Sequence, residues 1–181
     1  MNAPAQGGVV AADFSPRTVP DLRARLAPDG EMTIGLIGNS VWNERLGIGY
    51  GWELVEVMRE LRDLPVRGVM IRSGTAVPIL KAGAVEYRVA DSISFIPQIP
   101  YDSVADYLSA IDICFSTQMN DVPGNVRTTG KFPLFLAGGR YILASEVGEG
   151  RAGSSGFDAG ELSGNRSPNI SCQAREANQR S

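Results

Sequence analysis

The chain has 181 residues, 43% of them hydrophobic and 20% charged, with a formal net charge of -3. That is enough to bury the core of one domain with flanks, and it leaves no broad basic field of the kind nucleic acid requires. The sequence contains 0 histidines, which removes the commonest general base and the commonest metal ligand, so serine–histidine triads and histidine-containing zinc sites are excluded. Its 2 cysteines, Cys114 in an apolar run and Cys172 in a polar stretch, form neither a metal motif nor a disulfide pair. No apolar run reaches the roughly 18 residues a bilayer span needs, and residues 1–20 lack a charged start followed by a hydrophobic block. A cytoplasmic location is the expectation, and the sequons at Asn165 and Asn169 are then coincidental.

Residues 1–30 are rich in Ala, Pro and Gly and hold one short helical candidate, 19–26, so they read as a lead-in to a domain. Residues 32–38 (MTIGLIG) are an apolar run without polar alternation, as in a strand covered on both faces. A long turn, 39–50, follows. Residues 51–64 pattern as a helix with Leu54, Val57, Met58 and Leu61 on one face, and Pro65 stops it. The second strand is 66–72 (VRGVMIR). Ser73 or Thr75 then caps a weaker helix to about Tyr87, with Pro78 tolerated in its first turn and Gly83 as a weak point. Ile93–Ile96 is a short third strand, Asp102 or Ser103 caps a helix through Ala110, and 111–116 (IDICFS) is the fourth strand. The stretch GNVRTTGKFPLFLAGGRYILAS supplies a basic loop with Arg127 and Lys131, a helix over 132–137, a Gly138–Gly139 stop and a buried strand Tyr141–Ala144.

This alternation predicts an α/β domain over 31–149, a Rossmann-like parallel sheet with helices on both faces. Residues 150–181 have no apolar periodicity and are crowded with Gly, Ser, Asn and Arg, so a disordered tail is expected there. In such sheets the ligand sits at the carboxyl ends of the strands, near the switch in strand order. Both long loops, 39–50 and 117–130, emerge at that edge and can meet across one crevice. Arg45 from the first, and Arg127 and Lys131 from the second with Thr128 or Thr129 as helix N-cap, would make an anion pocket suited to phosphate. The competing reading is a solvated loop with ordinary basic side chains. Two phosphate-loop motifs fail on spacing: five residues separate Gly124 from Gly130 with Phe132 after Lys131, and Trp52 occupies the last position of a dinucleotide fingerprint begun at Gly47.

Three blocks, MTIGLIGNS with YGWELVEVM, ISFIPQIPYDSVADYLSAIDICFS, and GKFPLFLAGGRYILASEVGE, occur in an order that resembles the donor-binding C-terminal domain of a GT-B-fold glycosyltransferase. The series is similar to glycosyltransferase family 4 over residues 19–148. That resemblance implies a UDP- or GDP-sugar as donor substrate, with no cofactor and no metal. It implies amides of Gly38, Asn39 and Ser40 near the phosphates, Arg45, Arg127 and Lys131 neutralising the diphosphate, and backbone around Ile96 and Pro97, as far as Ile99, holding the base. No catalytic residue is assigned, because the family takes those and its acceptor site from an N-terminal half that these residues do not include; a separate acceptor-binding domain is the implied partner. The chain also departs from the family: Val126 and Leu134 stand where two glutamates are usual, Asn39 or Ser40 where an arginine is usual, and Tyr141 where a proline is usual. A non-catalytic nucleotide-binding or interaction module, or a degenerate fragment, is therefore the alternative function. The loss of pattern after Glu149 leads to the expectation of a truncated domain, lacking a sixth strand and final helices through a shifted reading frame, and inactive alone.

Overall fold

The computed structural model describes residues 11–44, 48–117 and 131–145. Seven strands and five α-helices lie in these segments: α1 Pro20–Leu26, β1 Met32–Asn39, β2 Trp42–Asn43, β3 Ile48–Gly49, α2 Trp52–Glu60, β4 Val66–Ser73, α3 Val77–Glu86, β5 Ile93–Ile96, α4 Val104–Ala110, β6 Ile113–Ser116, α5 Lys131–Ala137 and β7 Tyr141–Ala144. Five strands form one parallel sheet in the order β5-β4-β1-β6-β7, and β2 pairs with β3 as a separate antiparallel ribbon. The α/β Rossmann-like architecture expected from the alternation is the architecture found. The ribbon replaces the plain turn expected over 39–50.

The all-apolar strands are explained by two cores, one on each face. Met70 of β4 and Phe115 of β6 point to the face covered by α2 and α3, where Leu54, Met58 and Leu80 are buried. Their neighbours Val69, Ile71 and Cys114 point to the opposite face, against Leu108 of α4 and Phe135 of α5. With period-2 alternation, a strand buried on both sides has no polar face to show. Burial pushes the Cys114 thiol up to about 12, so it stays protonated and behaves as a small apolar group.

Helix ends follow local chemistry, with two corrections. The Gly138–Gly139 stop is a Schellman closure: Arg140 N–H donates to the Phe135 carbonyl at 3.1 Å, Gly139 N–H to that of Leu136 at 3.0 Å, and Gly139 sits at φ +61°. Gly83 is a close-packing site, since a methyl there would stand 2.4 Å from the Trp52 ring of α2. The side-chain caps expected at α3 and α4 are not made. Thr75 Oγ1 instead accepts the Trp42 N–H at 3.0 Å, and α4 is entered through a 3-10 turn, Tyr101–Ser103, whose Ser103 N–H bonds to the Pro100 carbonyl at 3.1 Å. Helix α2 ends at Glu60, short of the expected 64, in a turn where Leu64 N–H bonds to the Leu61 carbonyl at 2.9 Å before Pro65.

Much of the expected lead-in is packed into the domain. Phe14 is 1% exposed within the second core, edge-on to Tyr101 at 5.4 Å, and Leu26 joins it. Arg23 of α1 donates to Thr33 Oγ1 at 2.7 Å, to the Ala110 carbonyl at 2.8 Å and to the Glu31 carbonyl at 2.9 Å, and pairs with Asp112 at 2.8 Å. A single aromatic in an Ala- and Pro-rich stretch carries no periodicity, so the sequence does not advertise this contact. Among the described residues no helix is long and apolar enough to cross a membrane.

Two outcomes follow from this packing. Phe14→Ala should destabilise the domain by about 3–5 kcal/mol in urea denaturation, where a true linker position would change it by under about 0.5 kcal/mol. The second concerns Asp112. Burial pushes its carboxyl up, but hydrogen bonds from Thr33 and Arg23 outweigh that and hold it below the ordinary value. A depressed folded-state pKa gives stability that is complete above the ordinary value and lost as pH falls through the folded one. The stability gap between wild type and Asp112→Asn should therefore be constant at neutral pH and shrink below about pH 4, the ordinary carboxylate range; a gap unchanged down to about pH 2 contradicts it.

Candidate functional site

In the strand order, the chain runs outward from β1 through β4 to β5, then crosses back to β6 and β7. The switch lies between β1 and β6. The β1–β4 ladder continues to Asn39↔Ser73, whereas the β1–β6 ladder ends at Gly35↔Cys114. The β1–β6 pairing stops there, and it is in the crevice outside the carboxyl ends at such a switch point that ligands of open α/β sheets bind.

Gly38 and Lys131 meet in that crevice. Gly38 has φ +134°, a conformation side chains rarely adopt, and a methyl on it would stand 2.9 Å from Lys131 Cε and 3.3 Å from Nζ. The ammonium at the first residue of α5 thus lies over the last turn of β1. Lys131 was expected in the loop before the helix; it is the first helical residue. Of the expected convergence of the 39–50 and 117–130 loops, Gly38 and Lys131 are the described part; residues 45–47 and 118–130 lie outside the described residues.

The other anticipated residues divide. Asn39 is exposed at the same edge, its Oδ1 accepting the Ser40 N–H at 2.9 Å. Ser40 lies beside it but is fully buried, its hydroxyl donating to the Tyr50 carbonyl and its N–H to the Ser73 carbonyl at 2.8 Å. Both of its donors are engaged inside the fold, where Ser40 ties the two ends of the loop together. Ile96 ends β5, the edge strand, in register with Ile71 at the carboxyl side of the same sheet, and Pro97 follows it, exposed. Arg45, Arg127, Val126, Thr128 and Thr129 lie outside the described residues. Leu134, where a glutamate was the alternative, packs against the second core. Arg140, in the glycine-arginine segment, donates to the Gly138 carbonyl at 2.8 Å and to that of Ile111 at 3.2 Å, closing α5.

Sequence reading missed Arg72. It ends the apolar run of β4 as the register partner of Gly38, yet only 5% of it is exposed. Its Nη1 donates to the carbonyls of Asn39 at 3.0 Å and Tyr50 at 2.9 Å, and its Nε has no hydrogen-bond partner among the described residues. Burial lowers it to about 10, with Glu53 pulling weakly the other way, so it remains a cation at neutral pH. The available signal was topological: an arginine at the carboxyl end of a strand next to the first. A separate cavity of about 350 Å³ lies among Asp13, Phe14, Arg17, Tyr101 and Asp102. Arg17, the cation among these residues, pairs with Asp106 at 3.0 Å.

No protein-family model and no curated protein matches the chain. Solved structures do match in fold. The C-terminal domain of a glycosyl transferase group 1 family protein, LpcC, from Francisella tularensis is similar at TM-score 0.54 and 18% identity, over 78% of this chain and 72% of that one. Sucrose-phosphate synthase from Thermosynechococcus elongatus is similar at TM-score 0.62 and 20% identity, over 95% of this chain and 41% of that one. A glycosyltransferase from Rickettsia africae is similar at TM-score 0.57 and 14% identity, over 95% and 45%. The chain therefore spans less than half the length of the last two. What is shared is the fold, that of one half of a GT-B glycosyltransferase.

The approach of Lys131 to Gly38 predicts that Gly38→Ala is costly. A side chain at this φ should destabilise the domain by about 1–3 kcal/mol in urea denaturation and push the ammonium off β1; a neutral effect would show that the close approach is not maintained.

Proposed function

We propose that the chain is the nucleotide-diphosphate-sugar binding half of a glycosyltransferase, holding a UDP- or GDP-sugar at the carboxyl end of β1. The observation that carries this reading is Lys131 lying over Gly38 at the strand-order switch, on a fold that solved glycosyltransferases share. In glycosyl transfer the bond from the anomeric carbon to the diphosphate oxygen breaks, and the nucleoside diphosphate leaves with the bonding pair. Negative charge grows on that oxygen. A fixed ammonium answers it, because hydrogen bonds to charged groups contribute about 1.5–3 kcal/mol and gain value where water is excluded. Backbone near Ile96 and Pro97 is two strand spacings, about 10 Å, from β1, a span that a nucleoside can bridge. The acceptor and the groups that activate it would come from a second half, so this half alone binds donor without transferring sugar.

A non-catalytic nucleotide-binding module is the second reading, favoured by Leu134, which fills core space where a carboxylate would be needed for sugar contacts. Both readings require nucleotide binding in the crevice. Calorimetric titration of the chain with UDP and with GDP should give saturable binding to one of them, weakened about tenfold by Lys131→Ala through loss of one charged hydrogen bond. The corresponding neutral nucleoside should be insensitive to that substitution. No heat with either nucleotide overturns both readings.

A further inference from the structure

We propose that Arg72 is a positioning residue of the crevice, its buried guanidinium fastening the two ends of the 39–50 loop so that Gly38 and Asn39 are held facing a bound diphosphate. The role in binding rests on the nucleotide-sugar reading above; the fastening itself does not. One nitrogen, Nη1, donates to the carbonyl where the loop leaves β1, at Asn39, and to the carbonyl where it returns, at Tyr50. Ser40 reinforces the same junction by donating its hydroxyl to Tyr50. The neck is further closed by the Ser40 N–H on the Ser73 carbonyl at 2.8 Å and the Ala76 N–H on the Ser40 carbonyl at 3.1 Å.

The surroundings are cut to fit the guanidinium. Gly51 has φ +110°, and a methyl there would press on Leu80 at 3.1 Å and approach Arg72 Cζ and Nε at 3.5 Å. Gly74 has φ +114°, and a methyl there would collide with the Ser40 carbonyl oxygen at 2.1 Å. Both bonds come from Nη1, one bond farther from the backbone than a lysine ammonium, so a lysine at this position would fall short of the two carbonyls.

Core filling alone does not account for this side chain. A buried cation without a hydrogen-bonded carboxylate is unfavourable, and an apolar residue of similar volume would serve packing better. Arg72 pairs with Gly38 in register, so its charge lies beside β1 on the flank opposite β6, while Lys131 reaches the same glycine from α5. A diphosphate in the crevice would have a cation on each side of the strand end.

The test compares wild type with Arg72→Met and Arg72→Lys in the full chain, by amide hydrogen exchange and by calorimetry with inorganic pyrophosphate. In Arg72→Met the Ser40 and Ala76 amides should exchange at least about tenfold faster, as expected for loss of hydrogen bonds to a charged donor, while Thr33 and Leu36 in the body of β1 keep their protection. Pyrophosphate affinity should fall about tenfold by the same count, with Arg72→Lys intermediate in both measurements. If Arg72→Met does not fold, Arg72→Lys carries the test, since its ammonium ends one bond short of the Nη1 position that reaches both carbonyls and the neck amides should still quicken. Unchanged neck exchange in a folded variant overturns the proposal. So does faster exchange spread evenly through β1 and β4, which would mark a core residue and nothing more. Wild type that shows no pyrophosphate binding overturns the positioning role and the nucleotide reading together, while the exchange measurement still decides whether the loop is fastened by Arg72.

Discussion

Gly38 stands next to last in β1 at φ +134°, and the space a side chain would fill there is held by the Cε and Nζ of Lys131. This contact joins the end of the first sheet strand to the start of the helix that follows the fourth, two points far apart in sequence. It is possible only because the chain reverses direction between them. With β1 at the centre of the sheet, α2 and α3 cover one face and α1, α4 and α5 cover the other. The crevice lies at the carboxyl end of β1, at the switch in strand order.

Stability and chemistry are separated along the strands. The lower parts of β1, β4 and β6 carry Ile34, Leu36, Met70 and Cys114, fully enclosed between two helix layers. The upper ends carry groups that cannot be satisfied by packing: a glycine in a left-handed conformation, an exposed asparagine and a buried arginine bonded to carbonyls. Groups held in such arrangements mark functional edges in α/β folds more often than they mark the core.

Much of the fold could be read from the residues because burial on both sides erases polar alternation. The five sheet strands fall at the apolar runs, and Gly138–Gly139 ends α5 because only glycine accepts φ +61° readily at a Schellman closure. What could not be read depends on distant partners. Phe14 looks like part of a lead-in until the pocket under α4 and α5 is known to receive it. Ser73 and Thr75 look like caps until the ribbon at Trp42 claims Thr75. Ser40 looks like an exposed loop residue until Tyr50 folds back onto its hydroxyl. Arg72 looks like the solvent end of a strand, and its burial follows only from the loop that returns across it. Gly38 and Lys131 could be placed at one edge from the residues because topology alone puts those two elements there; Arg45 and Arg127 lie outside the described residues.

The most direct test is a nitrogen-15 NMR titration of the chain with UDP and GDP, following the backbone amides of Gly38 and Asn39 and the resonances of Lys131. One nucleotide should shift these signals first and most, with smaller changes at Ile96 and little at Phe14 or Tyr101. Shifts concentrated around Phe14 and Tyr101 instead, or none anywhere with either nucleotide, would contradict a donor crevice at the end of β1.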